Sequence, residues 1–297
     1  MRRSSVSLLR CPACGSQLSL TSDGGQGPLE SGSFRCSCGR TFHVKDGIAN
    51  FIHPEQLRPS EEEFQRKYDA GAARYDEGLR WLFRSFYEDE DRVRASMIDL
   101  LRLEPGARVL EIGCGTGKDS LHIVKRIGPN GELYALELSP GMLELSRVTL
   151  RTQPTSVEYL LANGAYLPFA DRTFDAVFHF GGINVFSEIP RAFAEMARVA
   201  KVGSRVVVGD ESVPPWLREE RFGRVLTNAN PLYKHEPPLA SLPIGARDVC
   251  LRWVLGNAFY VIDFRVDEGP PPVDLDLPIP GKGDSLRTRY RSTYGTD

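Results

Sequence analysis

Short runs of apolar residues alternate with amphipathic stretches along residues 106–267. Val109, Leu110 and Ile112 form one such run, and apolar residues at helical spacing follow it over residues 121–127. Further runs of this kind lie at 131–136, 157–161, 249–254 and 259–266. Strands that alternate with helices favour a largely parallel α/β sheet.

Two helices are predicted ahead of this region. Ser60 and Glu63 stand at the spacing of a capping box, in which a hydroxyl and a carboxylate satisfy free amides at a helix start. The helix should continue through Ala72, and a second should cover residues 91–103. The Glu-Pro-Gly sequence at 104–106 should then end it, so residues 56–105 form a helical connector.

Composition limits the classes of protein that remain. The chain has 297 residues, 41% of them hydrophobic and 26% charged, with a formal net charge of -2. This length suits one large domain with a small one, and the charge gives no general attraction for nucleic acid. No apolar run approaches the roughly 20 residues of a membrane span, and residues 1–10 do not resemble a secretory signal. We therefore expect a cytoplasmic protein without a membrane partner, whose cysteines stay reduced.

Four of the six cysteines lie close together in the sequence, at Cys11, Cys14, Cys36 and Cys38. The first two form a C-x-x-C pair, whose sulfurs can face one ion, and structural zinc sites use four such ligands. The second pair is C-x-C, so His43 is the alternative to Cys38 as fourth ligand. The other interpretation is four free thiols. Because so small a module has little core, bound Zn²⁺ would supply about 10 kcal/mol of folding free energy.

The surroundings of these cysteines carry a resemblance. CPACG followed by FRCSCGRTFHVKDGIANFI resembles the zinc ribbons that precede some class I methyltransferases, one family of which methylates a guanine of ribosomal RNA. It is also similar to the short ribbon of small methyltransferase-activating proteins. The resemblance covers about fifty residues and implies a module over residues 1–55. The Gly-, Ser- and Pro-rich residues 19–32 should form its loop or hairpin tip.

The segment RVLEIGCGTGK places three glycines directly after the first predicted strand, at Gly113, Gly115 and Gly117. A dinucleotide-binding loop would have a sixth-position glycine where this chain has Lys118. The observed E-x-G-x-G-x-G pattern instead resembles class I methyltransferases, which bind S-adenosylmethionine. That cofactor has an amino-acid end, a sulfonium and an adenosine, and no phosphate.

Several other cofactor-binding residues follow from the resemblance. Glu137, at the end of the second strand, suits the two ribose hydroxyls, as in NAD enzymes. Asn163 stands where relatives often carry an aspartate that meets the adenine amino group. In relatives a Tyr-Asp-containing helix covers the cofactor, which points to Tyr68 and Tyr75, although packing alone explains either tyrosine. The remaining cofactor candidates from these motifs are Glu111, Cys114, Leu138, Met142, Gly164, Ala165 and His179.

The acceptor side is less well defined by the sequence. His179 ends the fourth predicted strand beside the cofactor motifs, and serves either as general base or as a packed, positioning side chain. Asp210 and Glu211 end the fifth strand at the same edge of the sheet, and one of them is expected to be structural. The predicted substrate residues are Asn184, Trp216, Tyr233 and His235.

The resemblance, from about residue 106 to 210, implies an α/β fold with a Rossmann-like methyltransferase sheet of seven strands, the last antiparallel. The predicted domains are 1–55, 56–105, 106–267 with a cap insertion at 212–245, and an extended tail at 268–297. The leading function is S-adenosylmethionine-dependent methyl transfer to an O, N or C atom of a small molecule. The alternatives are an RNA methyltransferase and a non-catalytic cofactor-binding regulator or partner subunit. The glycine spacing disfavours an NAD-dependent oxidoreductase.

Overall fold

The computed structural model describes residues 1–21 and 27–295, so residues 22–26 of the predicted loop or hairpin tip at 19–32 lie outside the described residues. The chain divides into two compact units, Met1–Asp267 and Glu268–Asp297. Within the described part, the first unit contains one sheet of eleven strands in the order β1-β2-β3-β4-β7-β6-β5-β8-β9-β11-β10. The strands are β1 (Leu18–Thr21), β2 (Gly32–Cys36), β3 (Thr41–Lys45), β4 (Ile48–Asn50), β5 (Arg108–Ile112), β6 (Glu132–Glu137), β7 (Ser156–Leu161), β8 (Phe174–Phe180), β9 (Ala200–Glu211), β10 (Ala246–Val254) and β11 (Phe259–Val266).

The sheet is larger than the sequence suggested. Strands β5 to β11 are the seven that were expected, and β11 is antiparallel to β9, which confirms the expected direction of the last strand. The four N-terminal strands continue the same sheet because β4 pairs with β7 in parallel, with Ala49 opposite Leu160 and Asn50 opposite Leu161. The expectation of seven strands is therefore wrong for the sheet as a whole, because the four strands of the N-terminal module are hydrogen-bonded to the edge of the central sheet.

The helices of the described chain are α1 (Pro59–Ser85), α2 (Glu90–Asp99), α3 (Lys118–Ile127), α4 (Pro140–Leu150), α5 (Ile189–Val199), α6 (Arg221–Ala229) and α7 (Leu286–Tyr294). The predicted capping box at Ser60 and Glu63 is wrong, because α1 begins at Pro59 and Glu61 is the acid that closes its start. Proline occupies the first helical position, where no amide partner is needed, and the backbone N–H of Arg58 donates to Glu61 at 3.3 Å. Similarly, α2 ends at Asp99 and not at residue 103, because the chain turns through a left-handed Arg102 (φ 53°).

Both faces of the central strands are buried. Along β9, Val206 and Val208 belong to a hydrophobic cluster with Phe193 of α5, whereas the intervening Val207 packs in a second cluster with Ile123 of α3. This alternation follows from the period-two geometry of a strand covered by helices on both sides. The side chains of Phe34, Phe42 and Phe51 join the α5-side cluster, so the N-terminal strands share the main core.

The predicted cap insertion at 212–245 contains α6 and short 3-10 turns. In the separate unit Glu268–Asp297, the expectation of an extended tail is wrong for α7, whose first turn is capped by the hydroxyl of Ser285. Arg289 pairs with Asp284 of that unit at 2.9 Å. Across the residues that the structure describes, no helix has both the length and the apolar composition needed to cross a bilayer.

Candidate functional site

The four N-terminal cysteines converge on one point. Cys11 and Cys14 lie in the turn before β1, Cys36 ends β2, and Cys38 lies in the turn that follows. Their sulfur atoms all lie within 4.8 Å of one another, with 3.4 Å between Cys14 and Cys36 and 3.8 Å between Cys11 and Cys38. Tetrahedral coordination with Zn–S bonds of about 2.3 Å would separate sulfurs by about 3.8 Å, so the cluster fits a zinc ion. His43 has an exposed side chain on β3 and lies outside this cluster of described groups.

The thiols of the cluster differ in acidity. Hydrogen bonding from Ser16 lowers the pKa of Cys14 to about 6, and the backbone of Arg40 lowers the pKa of Cys38. Burial instead raises the pKa of Cys11 to about 12. Metals bind the thiolate, so the two exposed sulfurs are prepared for coordination and the buried ones would release protons to an arriving dication.

A loop of glycines opens a cleft at the carboxyl edge of the central strands. Gly113 and Gly115 follow β5 with φ angles of 68° and 52°, a left-handed conformation that strains residues with a side chain. A Cβ at Gly113 would also come within 3.4 Å of the His179 ring. The loop therefore presents bare backbone to whatever occupies the cleft.

Glu137 anchors this loop from the end of β6. One carboxylate oxygen accepts the N–H groups of Leu138 (2.8 Å) and Ser139 (3.0 Å), and the other accepts that of Gly115 (3.0 Å). Burial raises its pKa, while these three amides oppose that shift by favouring the carboxylate. The acid predicted at the end of the second strand thus lies directly against the glycine loop.

The opposite wall of the cleft is a narrow slot after β7. The backbone N–H of Ala165 donates to Asn163 Oδ1 at 2.9 Å, which leaves Asn163 Nδ2 buried without a partner in the described structure. A Cβ at Gly164 would come within 2.7 Å of Phe186 and 2.8 Å of Ile112. The slot therefore offers one unused amide donor and admits only glycine at its side.

Helix α1 covers the cleft. In its two Tyr-Asp pairs the tyrosines line the cleft, and the aspartates hydrogen-bond to neighbouring segments. Tyr68 and Tyr75 line the cleft with their rings 5.9 Å apart, edge to face. Asp69 accepts the hydroxyl of Ser139 and the N–H of Gly141 at the start of α4. Asp76 accepts from Thr116 Oγ1 at 2.7 Å, in the glycine loop. Gln65, one helical turn before Asp69, donates its side-chain amide to the carbonyl of Leu138 at 2.7 Å. Tyrosines thus face inward while carboxylates fasten the helix.

His179 lies at the end of β8 with almost no solvent exposure. Its Nδ1 is 2.8 Å from the carbonyl oxygen of Ile112, which can only accept, so Nδ1 carries the proton. Nε2 is then a lone-pair acceptor, and it has no partner among the described groups. Burial lowers the pKa of the ring, which favours the neutral form.

Several predicted cofactor residues support the cleft without lining it. Glu111 is fully buried behind the loop, where it accepts the hydroxyl of Ser120, and burial raises its pKa well above the ordinary value. Gly117 begins α3 against Ser146, 3.0 Å from an added Cβ. Ala165 donates its backbone N–H to the side-chain oxygen of Asn163. Five other predicted cofactor residues line the cleft: Gly113, Gly115, Leu138, Met142 and Gly164. Cys114 lines the cavity beside the cleft.

The structure separates the predicted substrate residues. Asn184 is buried and fully hydrogen-bonded, donating its backbone N–H to Asp210 and its side-chain amide to the carbonyl of Glu211. Trp216 is 64% exposed and packs edge to face on Trp253, away from the cleft. His235 offers its carbonyl to Ser212, and only Tyr233 lines a neighbouring cavity.

Sequence reasoning missed a polar pair beside the glycine loop. Arg94 of α2 and Asp119 of α3 line a second cavity there and are joined by a 2.8 Å ion pair. One carboxylate oxygen of Asp119 is buried without a partner among the described groups. Asp119 could have been predicted as a site residue, because it closely follows the glycine motif. Arg94 lies in a helix without any motif, so only the packing of the helices identifies it.

Known proteins match this chain over its central part. Residues 109–203 match the family described as a methyltransferase domain. The demethylmenaquinone methyltransferase of Symbiobacterium thermophilum is 35% identical over 121 residues, 40% of this chain and 48% of that protein. The ubiquinone/menaquinone biosynthesis C-methyltransferase of Burkholderia mallei is 36% identical over 115 residues, 39% and 47% of the two chains. This chain therefore spans about half the length of the curated relatives that it matches.

A solved structure extends the likeness in fold. Phosphoethanolamine N-methyltransferase 2 of Haemonchus contortus, in complex with S-adenosyl-L-methionine, superposes with a TM-score of 0.53 at 12% identity. The match covers 72% of this chain and 61% of that one. Residues 109–203, which match a methyltransferase domain, thus lie within a Rossmann-like α/β fold.

Proposed function

We propose that this protein transfers the methyl group of S-adenosylmethionine to a small molecule. The observation that carries the proposal is Glu137, held at the end of β6 against the amide of Gly115, within a region that matches a methyltransferase domain. A carboxylate in this place, beside backbone amides and without a phosphate-binding glycine pattern, suits an adenosine that carries no phosphate.

The groups around the cleft fit the parts of that cofactor. Glu137 would accept the ribose hydroxyls, and the free Asn163 Nδ2 would donate to a ring nitrogen of the adenine. Arg94 and the unpartnered oxygen of Asp119 would hold the carboxylate and ammonium of the amino-acid end. The aromatic faces of Tyr68 and Tyr75 suit the sulfonium through cation–π attraction. When bound, the cofactor supplies an electrophilic methyl carbon with a neutral thioether as leaving group.

The remaining chemistry belongs to this chain. Helix α1, fastened at Gln65, Asp69 and Asp76, would exclude water and hold the two reactants in line, an alignment that contributes roughly 7–11 kcal/mol at best. His179 is neutral and keeps Nε2 free, which suits a general base as well as a positioning acceptor. Because it lines only the cleft assigned to the cofactor, we propose positioning as its role and treat the base as the alternative.

We also propose that the cluster of Cys11, Cys14, Cys36 and Cys38 binds a structural Zn²⁺, with Cys38 and not His43 as the fourth ligand. The sulfur spacing and the acidity of the exposed thiols support this assignment. The ion would stabilise the short strands β1 to β4 rather than take part in methyl transfer, because the cysteines do not line the cleft.

Calorimetric titration with S-adenosylmethionine and S-adenosylhomocysteine tests the cofactor first. We expect micromolar binding of both. Methyl transfer is then assayed with three kinds of acceptor: demethylmenaquinone, which appears in the name of the Symbiobacterium thermophilum relative, a mixture of small metabolites, and ribosomal RNA. Methylated small molecules support the proposal, methylated RNA favours the RNA alternative, and binding without transfer favours a regulator. Absence of binding by either cofactor form would overturn the proposal.

A further inference from the structure

A large, mainly apolar cavity lies between the second half of α1 and the segment that follows β9. Its volume is about 610 Å³, and its walls include Tyr75, Leu82, Phe86, Leu226 and Tyr233. Glu211, at the end of β9, is the one carboxylate among the described residues that line it. Arg74, an exposed residue of α1, is the one cation among the described residues that line it. Mainly apolar walls with one acid suit a flat, apolar ligand with one polar group.

This cavity continues toward the glycine loop. Tyr75, Leu82 and Glu211 also line the smaller cavity of about 160 Å³ that is bounded by Gly113 and Gly115. Glu211 therefore stands at the junction between the space beside the loop and the larger apolar space. His179 lines neither of these two cavities.

The neighbouring acid, Asp210, is committed to the fold. Its side chain is fully buried, and its oxygens accept the backbone N–H groups of Asn184 (2.6 Å) and Glu211 (2.9 Å). The side chain of Glu211 turns to the cavities instead. Of the two acids that end β9, one is thus structural and the other faces the place where a second reactant can reach the cofactor.

Building on the proposed methyl transfer, we propose that the larger cavity binds the methyl acceptor, an uncharged aromatic molecule with a hydroxyl group, and that Glu211 takes the hydroxyl proton. The proton passes from the hydroxyl oxygen to the carboxylate of Glu211. The phenolate oxygen then attacks the methyl carbon, and a new carbon–oxygen bond forms. The carbon–sulfur bond breaks, and its electron pair leaves with the neutral thioether.

The surroundings of Glu211 suit a base for phenols. Burial and the adjacent Asp210 raise the pKa of Glu211 well above its ordinary value, which brings it closer to that of the proton it must accept. The titratable and charged groups that face it are Asp210 from β9, Lys67, Tyr68 and Tyr75 from α1, Tyr233 from the segment after α6, and Tyr260 from β11. The two cavities that it lines also include Arg74 of α1, Arg94 of α2, and Lys118 and Asp119 of α3. Because Glu211 must be ionised to act, turnover should rise as pH rises through this elevated pKa.

The first test compares Glu211→Gln with Glu219→Gln, an exposed acid outside both cavities. The acceptor is 2-naphthol, and methylated naphthol is measured by mass spectrometry. We expect Glu211→Gln to lower kcat about 100-fold and to remove the rise of kcat with pH, with cofactor affinity unchanged within twofold. The control should match the wild type. A variant that keeps kcat within threefold, or keeps the pH profile, overturns the role of Glu211.

The second test fills the cavity. Gly78 of α1 lines the cavity, and a Cβ added there would meet no other atom within 4 Å, so Gly78→Trp places an indole inside without backbone strain. Ala73→Trp, on the exposed side of the same helix, is the matched control. The Kd of 2-naphthol, followed by its own fluorescence without cofactor, should rise at least tenfold in Gly78→Trp and stay constant in Ala73→Trp. An unchanged Kd in both variants overturns the cavity assignment.

These outcomes are separable from those of the proposed function. If the wild type binds the cofactor but methylates no naphthol, the substrate class is wrong while the methyltransferase proposal stands. If the wild type fails to bind the cofactor, the methyltransferase proposal fails, and a tenfold difference in naphthol affinity between Gly78→Trp and Ala73→Trp still decides whether the cavity binds aromatic alcohols.

Discussion

The cysteine cluster and the cofactor cleft differ in how far apart their parts lie along the chain. The cluster draws all four cysteines from the segment between Cys11 and Cys38, whereas the cleft contains groups from α1, the glycine loop and the ends of three strands. Local spacing is enough to predict a site of the first kind. A site of the second kind depends on strand order, and its parts become neighbours only in the folded sheet.

The largest expected effect concerns the cluster. Replacing Cys14 and Cys38 together by serine removes the two most acidic sulfurs. We expect loss of bound zinc and of on the order of 10 kcal/mol of folding free energy for strands β1 to β4. Zinc content by colorimetric chelation and hydrogen exchange of β2 and β3 measure this. Cys250→Ser, at an exposed cysteine on β10, is the control. Zinc retained in full by the double variant would contradict the ligand set.

The next effect concerns the cleft. Glu137→Ala removes the acceptor that is shared by the glycine loop and, in our proposal, the ribose. We expect the Kd of S-adenosylmethionine to rise about 100-fold, since hydrogen bonds to charged groups contribute about 1.5–3 kcal/mol each. Calorimetry measures it, with Glu144→Ala on the exposed side of α4 as control. Equal affinities for the two variants would place the ribose elsewhere.

A smaller effect depends on pH. Glu111 has a raised pKa in the folded chain because it is buried, so its contribution to stability is complete below the ordinary pKa and is lost as pH rises through the folded value. Between pH 5 and pH 8, the Tm of the cofactor-free wild type should therefore fall by a few degrees more than that of Glu111→Gln, as about 1 kcal/mol would produce. Scanning fluorimetry in matched buffers measures this, and Glu104→Gln, at an exposed acid, should behave as the wild type. Parallel curves for wild type and Glu111→Gln would contradict the effect.

The smallest effect tests how α1 is fastened. Asp69→Asn and Asp76→Asn each weaken a charge-assisted hydrogen bond between α1 and the far side of the cleft. Because both acids are partly exposed, we expect only about a threefold rise in the Kd of the cofactor for each variant. Glu63→Gln, on the outer side of the helix, should have no effect. If neither aspartate variant differs from this control, α1 is held by apolar packing alone.

Much of the central fold was accessible from the sequence. The runs at 131–136, 157–161 and 259–266 correspond to β6, β7 and β11, because buried strands require continuous apolar residues. The hydroxyl of Ser139 caps α4, and Gly256 and Asn257 adopt positive φ in the turn between β10 and β11, so local chemistry favours both features. Backbone pairing between β4 and β7 has no such signature, because any two strands of suitable direction can form it.

The site divides in the same way. Gly113, Gly115 and Glu137 were predictable because the glycine loop and the acid after the second strand belong to one local pattern. Arg94 and Glu211 were not assigned, since their meaning depends on cavities formed by packing of distant segments. Trp216 has a residue type that is common in ligand pockets, yet it packs on Trp253 with much of its side chain in solvent. Aromatic residues in an insertion carry too little information to locate a pocket.

The pairing of β4 with β7 has a consequence for truncation. Ala49 and Asn50 run alongside Leu160 and Leu161, and the next residue, Phe51, donates its N–H to Leu161. A version trimmed to the region that matches a methyltransferase domain would leave the paired backbone groups of β7 exposed beside an apolar surface that Phe51 now covers. Such an open strand recruits other chains, so the shortened protein should self-associate. The N-terminal strands thus also cover an edge of the central sheet that would otherwise be open to pairing.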